Sequence, residues 1–121
     1  MAFDWKTKNI NILGTTYTVE LSSDEVKYPM LKKANGYIDS TIKQIVVRDK
    51  FDQDDDDAMK ELDVVIKKNL RHEVIHGFLY ESGLDWDSNK ATTWAVNEEM
   101  VDYFALQFPK MIEVLNGLGA L

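Results

Sequence analysis

The sequence predicts a single α+β domain over residues 1–121, with short strands in its first half and two helices in its second. Three observations predict it. The 121 residues are enough for one hydrophobic core and too few for two. Up to about residue 47, apolar and polar residues alternate between turn residues, as in short strands. From about residue 58 the apolar spacing changes to three and four, the period of a helix.

In chain order, Asn9-Ile10-Asn11-Ile12-Leu13 and Tyr17-Thr18-Val19-Glu20-Leu21 alternate on either side of Gly14-Thr15 and read as a β-hairpin. Ser22-Ser23-Asp24-Glu25 resembles a helix N-cap with acidic first-turn residues, although Pro29 limits any helix there. Gly36-Tyr37-Ile38-Asp39 and Ile42-Lys43-Gln44-Ile45-Val46-Val47 flank Ser40-Thr41 and predict a second hairpin. The acidic run from Asp52 to Asp57 invites a calcium-loop reading, but Asp57 stands where that loop needs Gly and Asp63 where it needs Glu. It reads instead as a solvated linker whose last Asp caps a helix.

A helix is expected over 58–82. Leu62, Ile66, Leu70, Val74 and Phe78 recur at every fourth position, and Val65, Ile75 and Leu79 widen that surface. So broad an apolar surface predicts a central, buried helix. After a polar loop around Trp86, a second helix should begin at residue 91 or 92 and run to about 107, with Trp94, Met100, Val101, Phe104 and Phe108 offered to the core. Pro109 should kink or restart it. The two hairpins, or a short antiparallel sheet, should then pack on the first helix, with the second helix behind it.

Composition narrows the function. With 45% hydrophobic and 29% charged residues the chain reads as folded, and the net charge of −7 opposes broad binding to nucleic acids. No apolar run approaches the roughly 20 residues that span a bilayer, and the first residues lack the pattern of a secretory signal. There is no cysteine, so disulfides, thiolate chemistry and Cys-based zinc fingers are excluded. Any metal site must be built from His and carboxylates.

The chain has two histidines, and both lie in His72-Glu73-Val74-Ile75-His76, an HExxH motif. On a helix, a spacing of four brings both imidazoles to one face, about 6 Å apart along the axis, within reach of one ion. Glu73, one position round, can address a water without binding the ion, the arrangement of a zinc peptidase with Glu as general base. Two histidines placed at random acquire this spacing with Glu between them in roughly one such sequence in a thousand. A catalytic zinc usually takes a third protein ligand. Asn97-Glu98-Glu99-Met100-Val101-Asp102 offers it on the following helix. Glu98 and Asp102, four apart, share a face, so one can bind metal while the other accepts a hydrogen bond from a ligand His. Glu98 is the first choice; Glu99 and Asp102 are the alternatives.

The two motifs together resemble the gluzincin pattern HExxH followed by NExxxD, known from thermolysin-like enzymes. The stretches 70–84 and 97–109 are similar to small zinc metallopeptidases of phages and prophages, related to the ImmA/IrrE group. The resemblance covers roughly residues 36–111 and is loose over 1–35. It implies a zincin-like fold in which a β-hairpin precedes the metal helix. It also implies that His72, His76 and Glu98 bind Zn²⁺, that Glu73 is the catalytic base, and that Asp102 supports a ligand His. The sequence departs from the larger thermolysin-like enzymes in having no His after the second motif to stabilise an oxyanion. Tyr37, Tyr80, Tyr103 and Arg71 are the substitutes considered.

The expected function is hydrolysis of a peptide bond by a zinc-activated water, on a protein or peptide substrate such as a repressor or another phage or host protein. Nucleic acid and membrane are not expected partners, and the expected location is the cytoplasm of the bacterial host. A zinc-binding regulatory or interaction protein with little turnover is the alternative from another class. A structural phage component with an ornamental motif is a third.

Overall fold

A four-stranded sheet carries one long helix on its face, and a second long helix packs on the first. The computed structural model describes residues 3–51, 61–85 and 93–121. The acidic run 52–57, the loop around Trp86, and the expected helix starts at 58 and at 91 or 92 lie outside these residues.

Strands β1 (Thr7–Ile12) and β2 (Thr15–Leu21) form the first hairpin, with Ile12 paired to Thr15. The turn is therefore Leu13-Gly14, one residue earlier than Gly14-Thr15. Both turn residues have positive φ, 52° and 94°, the combination whose twist matches that of the strands it joins. Strands β3 (Gly36–Asp39) and β4 (Gln44–Val47) form the second hairpin, with the return arm starting at Gln44 and not at Ile42.

The strand order is β1-β2-β4-β3, and β2 runs parallel to β4. The sheet is thus mixed, where a short antiparallel sheet was expected. Its cause is the segment 22–35, which returns the chain so that the second hairpin enters with β4 inward and β3 at the edge. In that segment Asp24 Oδ1 accepts from the N–H groups of Val26 and Lys27, both at 3.0 Å. It closes a turn and does not cap an α-helix; a 3-10 helix, Pro29–Lys32, follows. Tyr28 and Leu31 cover Val46 on one face of the sheet, while Ile45 and Val47 join the main core on the other. Three consecutive buried residues in β4 are what a strand covered on both faces requires.

Helix α1 (Leu62–Glu81) places Ile66 in the main core with Ile12, Tyr17, Val19, Leu21, Ile45 and Val47. A Cβ at Gly77 would lie 2.7 Å from Ile12 Cδ1, so the missing side chain lets helix and sheet approach. At the last residue of α1, Glu81 accepts from the Tyr17 hydroxyl at 2.6 Å, Thr15 Oγ1 at 2.8 Å and Lys43 Nζ at 3.0 Å. These donors, Tyr17 foremost, hold the Glu81 carboxyl down at about 2. Burial, with the same carboxylate, pushes the Tyr17 phenol up.

A second 3-10 helix, Trp94–Val96, leads into α2 (Glu98–Gly117). The α-helix starts at Glu98 because the Asn97 side chain accepts from the Met100 N–H at 2.9 Å, satisfying a first-turn donor. It runs through Pro109 to Gly117 without the expected restart. Val101 and Ala105 are fully buried, but Trp94 and Phe108 are 63% and 45% exposed and are not core. Nor is α1 enclosed all round: Phe78 is exposed beside an open apolar hollow of about 530 Å³ that Arg71, Val74, Ile75, Leu79 and Phe108 also line. Among the described residues, no helix is long and apolar enough to cross a membrane.

Candidate metal centre

The α1 face turned toward α2 carries Lys68, His72, His76 and Tyr80 at successive spacings of four, which stacks them in one stripe. His72, Glu73 and His76 are buried. Opposite them the first turns of α2 present Glu98 and Asp102, four apart and so on one face. Acidic residues at this end also meet the positive end of the helix dipole.

Both imidazoles are oriented through Nδ1. His72 Nδ1 lies 2.8 Å from Asp102 Oδ1, and His76 Nδ1 lies 2.5 Å from the backbone carbonyl of Ala95. A carboxylate and a carbonyl can only accept, so each Nδ1 carries a proton and donates it. In the tautomer that these bonds fix, each ring lone pair lies at Nε2. Those lone pairs point at one another and at a third acceptor. The Nε2 atoms are 3.1 Å apart, Glu98 Oε2 lies 3.0 Å from that of His72, and Glu98 Oε1 lies 2.8 Å from that of His76. Acceptor atoms packed this closely repel unless a proton or a cation lies among them. Ligands arranged tetrahedrally at about 2.0–2.1 Å from an ion stand about 3.3 Å apart, close to these separations. His72, His76 and Glu98 form a group that could hold a metal ion. Glu99 is exposed and stands outside it.

Asp102 Oδ1 also accepts from Lys68 Nζ at 2.8 Å. Lys68, and then His72, hold the Asp102 carboxyl below its ordinary value, so it remains an ionised acceptor for the ring. Glu73 is different. Its carboxylate is outside the ligand group, with Oε1 4.0 Å from His72 Nε2. Burial first, and the charge of Glu98 second, push its pKa up to about 8. A Cβ on Gly36 would lie 3.4 Å from Glu73 Cγ, so the edge strand β3 passes directly beside this side chain. The Glu98 side chain is 67% exposed, so the group opens to solvent on that side while the histidines are enclosed.

The four residues considered as oxyanion donors are dispersed. Tyr80 stacks on His76, with ring centroids 5.9 Å apart and planes 16° from parallel. Burial, then the charge of Asp85, raise its pKa, so the phenol keeps the proton it could donate. Tyr37 pairs with Val46 and packs beside Tyr28 and Leu31 on the sheet face away from α1. Tyr103 is exposed and stacks edge-on with Phe104. Arg71 Nε donates to the Ala105 carbonyl at 2.6 Å.

Sequence reasoning missed three participants. Lys68 carried a signal, since it lies four residues before His72 on the same face. The Ala95 carbonyl carried none, because any residue supplies a carbonyl. The Arg71 bond to Ala105 was signalled only by Pro109, four residues beyond Ala105. No protein family, curated protein or solved structure matches the chain.

Proposed function

We propose that the chain is a zinc-dependent metallopeptidase, a minimal zincin-like domain of the gluzincin kind related to the ImmA/IrrE group. The observation that carries this reading is the convergence of three acceptor atoms, two of them on imidazoles whose other nitrogens already donate. Two imidazoles and one carboxylate suit zinc, whereas calcium and magnesium favour all-oxygen sets. Three protein ligands leave a fourth position open, as in catalytic and not structural zinc sites. When bound, zinc lowers the pKa of a water and polarises a carbonyl.

The chain's own residues supply the rest. Glu73 takes a proton from the attacking water at its carboxylate and passes it to the leaving amine. Its raised pKa belongs to the metal-free molecule; a divalent cation beside Glu98 opposes the field of that carboxylate and favours the ionised base. Tyr80, whose ring stacks on His76, is the oxyanion donor of this reading. The outer edge of β3, beside Glu73, offers main-chain hydrogen bonds to an extended substrate. The substrate is a protein or peptide, such as a repressor or another phage or host protein, met in the cytoplasm of the bacterial host. Glu73→Gln keeps the shape of the side chain and removes the base. The purified variant should retain zinc by elemental analysis and lose peptide cleavage by at least about a hundredfold; full cleavage by it would refute the assignment.

One observation favours a second reading, a zinc-binding interaction protein with little turnover. Leu106 and Val114 on α2 and Leu118 just beyond its end are 54%, 62% and 75% exposed, the kind of apolar surface a protein partner covers. That reading predicts bound zinc and an intact partner after incubation, with or without chelator.

A further inference from the structure

Proline inside a helix withholds one hydrogen bond: its nitrogen carries no proton for the carbonyl four residues earlier. For Pro109 that carbonyl belongs to Ala105, which is fully buried. A buried carbonyl without a donor is costly. This one has a donor from the other helix, because Arg71 Nε reaches it at 2.6 Å. The bond has two properties that the other ties between α1 and α2 lack. It ends on backbone, which cannot change rotamer, whereas the bonds of Lys68 and His72 to Asp102 and of the histidines to Glu98 end on side chains that can turn. It also starts at the residue next to His72. Glu98, Asp102 and Ala105 lie at i, i+4 and i+7, one face of α2. Fixing the Ala105 carbonyl therefore fixes which residues of that face meet the histidines, and a slip of one residue would carry Glu98 about 1.5 Å along the axis and 100° around it.

We propose that Arg71 and Pro109 are a positioning pair for the metal group: Pro109 leaves the Ala105 carbonyl open, and Arg71 fills it from α1, holding α2 in the register that brings Glu98 and Asp102 to His72 and His76. The purpose of the pair rests on the metal reading of the site, but the register it sets does not. Pro109 on this view is not a helix breaker that the fold tolerates. It is the reason a carbonyl is available to bind the neighbouring helix.

The test uses the full chain in four forms: wild type, Arg71→Met, Pro109→Ala and the double variant. Met keeps an apolar stem along the hollow that Arg71 lines. Two quantities are read besides urea unfolding: zinc affinity by competition with a chromophoric chelator, and, in metal-free protein, exchange of the His72 Nδ1 proton seen by nitrogen-edited NMR. Arg71→Met should weaken zinc binding by about tenfold, the low end of what outer-shell changes cost, and speed exchange of that proton. Its urea midpoint should fall, because a buried carbonyl has lost its donor. Adding Pro109→Ala should restore the midpoint, since an alanine in place of the proline supplies the helical N–H, but leave zinc affinity and proton exchange impaired. This separation is the signature of positioning.

If zinc affinity and proton exchange recover together with stability in the double variant, Arg71 only satisfies a carbonyl and the proposal is overturned. Wild-type zinc affinity and proton exchange in Arg71→Met overturn it also. Should Arg71→Met alone fail to fold, the double variant gives the same decision. A wild-type protein that binds no zinc, yet shows faster His72 proton exchange in both Arg71 variants, refutes the metal reading and supports the register pair.

Discussion

The two sides of α1 solve different problems. Toward the sheet, Ile66 meets Ile12 and Ile45, with Leu62, Leu70 and Val74 packed around them and Gly77 admitting the Ile12 methyl. Toward α2, Lys68, His72 and His76 meet Glu98, Asp102 and the Ala95 carbonyl. The first side is held by burial, which is non-directional and scales with area. The second is held by directed donors and acceptors around a point that three acceptors share and that could hold a metal ion. A helix can thus be anchored on one side and left responsive to a ligand on the other.

Ile66→Ala should have the largest effect on folding. It empties a fully buried position and should cost about 3 kcal/mol, measured by urea unfolding, with the same loss in zinc and in chelator. A loss that disappears with zinc would show that the two sides are not independent. Asp102→Ala should do the reverse. Without the acceptor that orients His72, zinc affinity should fall about ten- to a hundredfold by chelator competition, while the unfolding midpoint in chelator changes little. A large loss of stability in chelator would make Asp102 part of the scaffold and break the comparison.

The smallest effect concerns acid. Glu81 belongs to the scaffold end of α1, and its folded pKa of about 2 lies below the ordinary value of 4.5. A depressed carboxyl stabilises the fold above its unfolded pKa, and that contribution is lost as pH falls from about 4.5 toward about 2. Glu81→Gln should therefore flatten the fall in stability through that window, followed by unfolding at each pH. An unchanged slope would show that the bonds from Tyr17, Thr15 and Lys43 do not need the charge.

What sequence could reveal divides along the same line. The hairpins, the helical period around Ile66 and the shared faces of His72 with His76 and of Glu98 with Asp102 are local, and local spacing was enough to place them. The parallel pairing of β2 with β4 was not legible because it joins residues separated by the whole 22–35 segment and an edge strand. The start of α2 at Glu98 depended on the Asn97 cap, which the apolar spacing from residue 91 obscured. Trp94 and Phe108 looked like core because composition does not tell which apolar residues a small domain has room to cover. Pro109 was legible as a residue but not as a device, since its effect appears only when Arg71 arrives from another helix.

The most direct measurement is zinc stoichiometry and affinity of the purified chain, with His76→Ala beside it, read by elemental analysis and by chelator competition. His72, His76 and Glu98 as one metal site predict about one zinc per chain and affinity weakened at least about a thousandfold in His76→Ala, because a ligand is removed outright. A wild-type chain that takes up no zinc, or a His76→Ala variant that binds it as tightly, would contradict that site.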